Sequence, residues 1–465
     1  MGDSNEKGLS FYKKIAYGIG DFGSNYCWTF IAGFVMLYFT NILGVSAGVV
    51  GTLMMISKIL DGITDVFMGR IIDSTHSKMG KARFWLFVST FPLCITVFLL
   101  FNIPGTFTDT TKYIWIFIVY TLMGAVFYTM NNIAYSTLTA LVTRKPKDRV
   151  SMGSIRFMFA FGALILINSY TMKLVEMFGG GQAGWRVVSI LYSVICFVGL
   201  MIPVIVLREL SEEQLDNLRK ENDEKREKKE NFFEGFRILF KNKYFYLLLF
   251  ANLVSYLLQG IQNGLGIYFV TYNMNDAGLL GTMSIASVVP TIIVLLFVPN
   301  LAGKFGVRNA ALAGGILSIV GTIVRAWGGY AGMVPILLLG LVIVGAGGAP
   351  AAGVGNALIA AADDYSQLKY GKRVTATLYS CSSIGIKVGT GLGTALTGIL
   401  LDLGGYDGMA AAQTERALAV IENTYLVTPI IGAVIAVIVY IFMNVEKENK
   451  KLQVQTENNH NITKK

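Results

Sequence analysis

The residues best able to do chemistry in this sequence are two aspartates one helical turn apart. Asp61 and Asp65 lie in the stretch 51–69, whose only other charge is Lys58, one turn earlier. A spacing of four residues places both carboxylates on one face of a helix. An ionisable side chain inside a bilayer costs about 2.5–3.5 kcal/mol on insertion scales, so such residues are rare and face a polar interior. The pattern therefore predicts a site for a cation or a proton.

The elements that must position these residues are membrane helices. Of the 465 residues, 54% are hydrophobic and 15% are charged, whereas a soluble domain has about 25% charged residues. Apolar segments of about 20 residues, long enough to cross a bilayer, recur along the chain. We predict an all-α polytopic membrane protein with twelve transmembrane helices, near 15–40, 46–72, 84–103, 113–142, 152–175, 186–207, 244–271, 281–302, 309–330, 334–361, 374–400 and 419–444.

The net charge of +10 follows from membrane topology and does not indicate a nucleic-acid partner. With twelve spans the connections alternate between two sides, and one side carries 31 of the 39 basic residues while the other carries four. By the positive-inside rule the basic side is cytoplasmic, and it includes both termini. The first apolar segment is too long and too rich in Tyr and Trp for a cleavable signal. We expect a multi-pass protein of the cell (plasma or inner) membrane.

The cysteines and histidines give no sign of a metal or catalytic site. The four cysteines lie in apolar spans without the spacing of metal ligands, as expected for small buried residues. Both histidines lie outside the spans, which argues against a His-based site. We predict that the protein is not an enzyme, has no catalytic residue and no cofactor, and binds no metal except a coupling sodium.

A charged segment divides the chain into two halves. Residues 208–243 mix both signs of charge with few apolar residues, as in a solvated connector. The predicted division is 1–207 for an N-terminal six-helix half, 208–243 for a cytoplasmic linker, 244–445 for a C-terminal six-helix half and 446–465 for a polar cytoplasmic tail. A short Gly/basic loop follows the second span of each half, at 69–83 and 301–308, which favours an internal repeat. Repeated six-helix halves resemble the major facilitator architecture, whose substrate binds near the midplane between the halves.

Four motifs resemble those of the glycoside–pentoside–hexuronide:cation symporters, a family that includes melibiose and glucuronide carriers. They are YGIGDFGSNY at 17–26, DGITDVFMGRIID at 61–73, MGKARFW at 79–85 and ADDYSQLKYGKR at 362–373. The resemblance covers nearly the whole chain. It implies a major facilitator fold and cation-coupled symport of a sugar or glycoside by alternating access.

The resemblance also implies a cation site made of Asp61, Thr64, Asp65 and Thr129. The sodium-coupled melibiose carrier has Asn where this chain has Thr64, a departure that leaves sodium and proton both open. A threonine hydroxyl can bind a hard cation through oxygen. A carboxylate pair can equally hold a proton, because two close like charges disfavour the doubly ionised state.

The sugar site implied by the resemblance lies beside the cation site. Its family positions correspond here to Asn25, Asn132, Arg156 and Lys387. Two acids have become amides, which donate as well as accept hydrogen bonds and remove negative charge. With two cationic residues present, the pocket is more tolerant of an anionic or alkylated glycoside than one lined by acids. Tyr26 and Tyr135 either stack on a sugar face or pack between helices.

Two clusters of opposite charge are predicted to form a cytoplasmic gate of breakable salt bridges. Exposed ion pairs contribute about 0–1 kcal/mol each, which suits contacts that open and close. The residues are Arg70, Asp73, Lys81 and Arg83 in the first half and Asp363, Asp364 and Arg373 in the second.

Two rival functions on the same fold are a lysolipid-type carrier and a non-transporting sugar sensor. The compact polar set of the sugar site favours a small polar ligand over a lipid, and only about 20 polar residues follow Val445, where a sensor would append a regulatory domain. A channel is disfavoured because the charges form one cluster and not rings along a pore. The expected partners are a glycoside, a coupling cation (Na+ or H+) and the lipid bilayer, with the protein as a monomer.

Overall fold

The computed structural model describes residues 9–143, 145–210 and 237–463, and these ranges are α-helical without a strand. Two short π-helical turns, Leu122–Tyr128 and Phe269–Asn273, interrupt the α-helices. The helices are α1 (Phe11–Asn41), α2 (Ala47–Ser74), α3 (Lys81–Leu100), α4 (Asp109–Thr121), α5 (Thr129–Val142), α6 (Pro146–Met177), α7 (Gly181–Val206), α8 (Lys243–Tyr268), α9 (Leu279–Leu295), α10 (Val298–Phe305), α11 (Val307–Tyr330), α12 (Val334–Tyr370), α13 (Thr375–Gly404), α14 (Glu415–Phe442) and α15 (Val445–Thr463).

Most of these helices are long and apolar enough to cross a membrane. Ten candidate spans lie in the described residues, or eleven if α9 and α10, which meet at a bend of 54°, form one broken span. The segments α4 and α5 with the π-helical turn between them make a single span, Asp109–Val142. At 31 residues α1 has the length of a span, but Asn, Tyr, Trp and Gly interrupt its apolar residues. The predicted all-α polytopic class is confirmed, and the count of twelve stays a prediction.

The helices group into two compact units. The first contains α1 to α7 with the segments Asn263–Gly281 and Thr394–Leu418, and the second contains the remaining parts of the later helices. Residues 211–236 of the predicted linker lie outside the described residues. The division into six-helix halves with a linker and a tail therefore stays a prediction. In the second unit the predicted tail forms α15, where Asn449 donates to the Ala361 carbonyl at 2.8 Å.

The start of α3 is held by a carboxylate from far along the chain. Gly80 precedes the helix with a φ of 103°, a conformation that favours glycine. Glu209 accepts hydrogen bonds from the backbone N–H groups of Lys81 and Arg83, both at 2.8 Å. The Arg83 guanidinium in turn donates to the Val204 carbonyl at 3.0 Å. A carboxylate thus satisfies the free N–H groups of the first helical turn.

The start of α11 in the second unit has the same construction. Gly306 precedes the helix with a φ of 87°. Glu446 accepts from the backbone N–H groups of Val307 and Arg308 at 3.2 and 3.1 Å. Arg308 Nε donates to the Tyr440 carbonyl at 2.9 Å. Two loops with one design, one in each unit, support the internal repeat expected from the sequence.

Glycines in α1 bring that helix close to α6 and α7 in the first unit. A Cβ atom on Gly23 would lie 2.9 Å from the Gly199 Cα atom of α7, and one on Gly18 would lie 2.6 Å from the Phe159 ring of α6. Small residues allow membrane helices to approach at backbone distance. This close packing sets the polar residues of α1 against those of α6.

Candidate functional site

Asp61 lies buried in α2, with 7% of its surface exposed. The Thr129 hydroxyl donates a hydrogen bond to its Oδ1 atom. Its Oδ2 atom lies 3.6 Å from the Lys58 ammonium, which is itself 6% exposed. The structure therefore brings two members of the predicted cation site into contact and adds a buried ammonium to them.

The Lys58 ammonium also lies against an aromatic pair. Its Nζ atom is 3.8 Å from the centroid of the Trp28 ring, a cation–π contact. Trp28 stacks on Tyr128 with a centroid distance of 4.6 Å. Sequence reasoning did not include Trp28 in the site, and its spacing along the helix gave no signal for it.

A π-helical turn positions Thr129. The turn Leu122–Tyr128 ends directly before Thr129, whose hydroxyl also lies 3.2 Å from the Gly124 carbonyl. An extra residue in a helical turn rotates the following side chains, and such turns are frequent at functional sites. The rotation directs Thr129, which is 3% exposed, at Asp61.

The other two predicted cation ligands, Thr64 and Asp65, lie on the same helix and are partly buried. Thr64 donates its hydroxyl hydrogen to the Asp61 carbonyl oxygen at 3.1 Å. A hydroxyl that donates in this way keeps lone pairs for a cation. No group of three or more His, Cys, Asp or Glu side chains in the described residues is arranged to hold a metal ion. A coupling ion at Asp61 would therefore also need the threonine oxygens.

A second buried carboxylate, Asp21 in α1, was missed as a site residue. It is 4% exposed and lies 2.8 Å from the Arg156 Nε atom of α6. Asn25 donates to the Asp21 carboxylate at 3.0 Å and to the Asp21 carbonyl at 2.8 Å. Asp21 stands four residues before Asn25 in an apolar span, the same spacing as the Asp61 and Asp65 pair, and that signal could have identified it.

Arg156 joins the predicted sugar-site residues of the first unit. Its Nη2 atom donates to the Asn132 side-chain oxygen at 3.3 Å and its Nη1 atom to the Ser136 hydroxyl at 3.1 Å. The guanidinium carbon lies 5.1 Å from the centroid of the Tyr135 ring. The side chain is 28% exposed, so part of the guanidinium is open to a ligand.

The two predicted aromatic residues of the sugar site are packed between helices. Tyr135 is 2% exposed and stacks on Tyr17 at 4.4 Å, with its hydroxyl donating to the Tyr17 carbonyl. Tyr26 is 8% exposed and meets the Tyr192 ring edge-on at 5.1 Å. Of the two roles considered for these rings, the observed contacts are those of packing.

Lys387, the remaining predicted sugar residue, lies in α13 within the second unit and is partly buried. Its predicted role stays a prediction. The buried free thiols of Cys27, Cys94 and Cys196 in the first unit agree with the expected core role.

The structure describes three of the four residues of the first predicted gate cluster, and the side chain of the fourth is outside the described residues. Arg70 is exposed at the end of α2, and the side chain of Asp73 lies outside the described residues. Arg83 donates to backbone carbonyls, of Met79 at 3.0 Å and of Val204, and Lys81 donates its backbone N–H to Glu209. The observed role of this loop is to anchor α3 within the first unit.

The second predicted gate cluster lies at the end of α12. Asp364 and Arg373 form an ion pair at 3.4 Å with half-exposed side chains. Asp363 is buried and accepts the backbone N–H of Val374 at 2.7 Å. One of these carboxylates thus forms the kind of exposed pair expected of a gate, and the other holds the loop that leads into α13.

Comparison with known proteins places the chain in a family. A profile of the family described as MFS/sugar transport protein matches residues 16–447. The isoprimeverose transporter of Lactiplantibacillus pentosus is 30% identical, over 96% of this chain and 91% of its own length. The glucuronide carrier protein homolog of Escherichia coli (strain K12) is 24% identical, over 98% and 97%. The crystal structure of the nucleoside transporter NupG shares the fold, with a TM-score of 0.63 at 15% identity over 93% of this chain and 98% of that one. The chain therefore belongs to the MFS/sugar transport protein family, and the resemblance to glycoside–pentoside–hexuronide:cation symporters is confirmed.

Proposed function

We propose that this protein is a secondary active transporter that couples the movement of a cation to symport of a sugar or glycoside by alternating access. The observation that carries the proposal is the buried cluster of Asp61, Thr129 and Lys58, since a carboxylate inside a membrane helix marks an ion pathway. The names of the similar proteins, an isoprimeverose transporter and a glucuronide carrier homolog, support a sugar as the substrate.

The coupling cation binds between α2 and the start of α5. Asp61, Asp65, Thr64 and Thr129 supply oxygen atoms, the ligand type that hard cations take. The Lys58 ammonium, 3.6 Å from Asp61, balances the carboxylate before the ion arrives and yields to it afterwards. A proton on the carboxylate would release Lys58 in the same way, so the arrangement suits Na+ or H+.

The proposed sugar-site residues are those that the family resemblance implies, Arg156, Asn25, Asn132 and Lys387. Amides and a guanidinium offer the directional donors and acceptors that hydroxyl groups require. Thr129, which bonds Asp61, and Asn132, which bonds Arg156, lie three residues apart on α5, so one helix carries residues of both polar clusters. An ion that changes the charge at Asp61 would thus change the surroundings of the sugar site, which is the physical basis of coupling.

The transporter resides in the cell (plasma or inner) membrane with both termini in the cytoplasm and works as a monomer. The distribution of basic residues along the sequence supports the cytoplasmic location of the termini. Of the predicted gate residues, Asp364 and Arg373 form the exposed ion pair that we assign to the cytoplasmic gate. Neither a lysolipid carrier nor a sugar sensor is favoured, because the similar proteins are named as carriers of sugars.

Uptake into proteoliposomes tests this function. Purified protein is reconstituted, and a panel of labelled xylosides, glucosides and glucuronides is offered with an inward gradient of sodium, of lithium or of protons alone. We expect at least one sugar to accumulate above equilibrium with one cation and to equilibrate without a gradient. Equilibration only, with every cation and every sugar, would contradict the proposal.

A further inference from the structure

The positive charge of Arg156 is already balanced by a carboxylate of the protein itself. Its Nε atom lies 2.8 Å from an Asp21 carboxylate oxygen, and its other bonds go to the neutral oxygens of Asn132 and Ser136. Asp21 is 4% exposed and accepts a further hydrogen bond from Asn25. The carboxylate is therefore fixed in place as the counter-ion of the guanidinium.

The atoms left over around this pair are neutral. Within the described residues, the Asn25 side-chain oxygen and the Asn132 side-chain nitrogen take part in no hydrogen bond. One of these atoms accepts and the other donates. Three of the five N–H groups of Arg156 are used by Asp21, Asn132 and Ser136, and its side chain is 28% exposed. This set matches hydroxyl groups, which both donate and accept.

A sugar that carries a carboxylate would be repelled by Asp21 at this site. A carboxylate on the sugar could pair with Arg156 only beside Asp21, which would put two negative charges on one guanidinium in a site of low dielectric constant. The repulsion between these two carboxylates weakens binding of the anionic sugar. Binding sites commonly use such repulsion to exclude a charged competitor.

We infer that Asp21 is a specificity-determining residue, which makes the sugar site of the first unit select uncharged glycosides over glycosides that carry a carboxylate. The inference rests on the proposed function and narrows its substrate class. Arg156 and Lys387 had suggested tolerance of anionic glycosides when only the sequence was considered, and the ion pair with Asp21 reverses that expectation for Arg156. Asp21 acts on the sugar through Arg156.

A matched pair of sugars tests this inference. Methyl β-D-glucoside and methyl β-D-glucuronide differ only in a CH2OH group against a carboxylate at C6, and each is offered as a competitor of the sugar that accumulates in the proteoliposome assay. For the wild-type protein we expect the glucoside to compete at a concentration about tenfold or more below that of the glucuronide, because of the like charge at Asp21. Stronger competition by the glucuronide would overturn the inference. This comparison needs no variant to fold.

Two variants then separate charge from structure. Asp21→Asn keeps the shape of the side chain but replaces one accepting oxygen with an NH2 donor, so it can accept from only one of Arg156 and Asn25. It also releases the charge of Arg156, so the preference for glucoside should shrink or invert. Asp21→Glu keeps the charge, so the preference should persist even if transport is slower. A merely structural role for Asp21 would weaken competition by both sugars equally in Asp21→Asn, and that result would overturn the inference. Failure of every sugar to accumulate would instead contradict the proposed function itself.

Discussion

Two of the buried acid–base pairs in the first unit of this protein, Asp21 with Arg156 and Asp61 with Lys58, are built differently. Asp21 meets the guanidinium of Arg156 at 2.8 Å, whereas Asp61 lies 3.6 Å from the ammonium of Lys58. Asp21 is supported by an amide and Asp61 by a threonine hydroxyl. The first pair spans α1 and α6, and the second lies within a single turn of α2.

The difference indicates a permanent pair and an exchangeable one. A guanidinium stays charged and forms directional bonds in a plane, so Asp21 and Arg156 hold each other in one geometry. An ammonium is a compact point charge on a flexible stem, and at 3.6 Å from Asp61 its place can be taken by a small cation. We therefore expect the Asp21 pair to determine which sugar binds and the Asp61 pair to determine which ion drives transport.

The largest effect is expected at Asp61. Asp61→Asn removes the charge that holds the coupling ion while keeping the shape of the side chain, so gradient-driven accumulation of sugar should be abolished. Asp65→Asn should do the same if both carboxylates bind the ion. The measurement is accumulation in proteoliposomes, with sugar binding as a check that the protein is folded.

A matched control for this prediction is Asp109→Asn. Asp109 pairs with Lys112 at 3.1 Å, but its side chain is 72% exposed, so the same chemical change should leave accumulation close to wild type. Accumulation at the wild-type level in both Asp61→Asn and Asp65→Asn would assign the two aspartates to helix packing.

The next effect concerns Arg156. Arg156→Lys keeps the positive charge but loses the planar fork that bonds Asp21, Asn132 and Ser136 together. We expect sugar affinity to fall by about tenfold or more, comparable with the loss of one charged hydrogen bond. Equilibrium binding of the transported sugar measures the change.

Arg186→Lys serves as the control, because Arg186 is exposed and, among the described residues, its guanidinium bonds the Asn102 side chain at 2.8 Å. Lys387→Ala, tested in parallel, should also weaken binding if the sugar contacts Lys387. Unchanged affinity in both Arg156→Lys and Lys387→Ala would mean that the sugar binds elsewhere.

A smaller and opposite effect is expected at Lys58. If its ammonium competes with the coupling ion for Asp61, then Lys58→Gln should lower the cation concentration that half-saturates sugar uptake by several-fold. Uptake measured against cation concentration gives this value, with Lys451→Gln as a control, because Lys451 is 60% exposed in its pair with Glu448. A raised half-saturating concentration would show that Lys58 supports the ion and does not compete with it.

The sequence predicted the Asp61 pair better than the Asp21 pair, for a physical reason. Asp61 and Lys58 are neighbours on one helix, so periodicity alone brings them together. The Asp21 partner lies 135 residues away on α6, and only the packing of glycine-rich α1 creates the contact. Thr129 could be named from the family resemblance, but the π-helical turn that directs it at Asp61 leaves no periodic signal in the sequence.

The predicted fold class was confirmed because long apolar segments allow few alternatives in a bilayer. The gate clusters show that charges close together in the sequence do not reveal which residues form ion pairs in the structure. Arg83 and Asp364 both lie among opposite charges in the sequence, yet Arg83 bonds backbone carbonyls while Asp364 forms an exposed ion pair. The carboxylate that holds the start of α3, Glu209, lies at the beginning of the predicted linker, far from α3 in the sequence, and could not be assigned from local spacing.

The smallest effect is expected at the exposed pair of Asp364 and Arg373, which completes the comparison with the two buried pairs. Their atoms lie 3.4 Å apart with side chains 50% and 54% exposed, so water already solvates both charges. Asp364→Asn should lower the free energy of unfolding by no more than about 1 kcal/mol. Thermal unfolding of the purified protein measures that change, and Asp21→Asn on the same preparation should destabilise more, because it leaves a cation without its buried partner. Equal losses in the two variants would contradict the view that burial separates the Asp21 pair from a surface contact. A change in transport rate without a change in stability for Asp364→Asn would instead support its proposed place in the cytoplasmic gate, where a weak pair is broken and remade in each cycle.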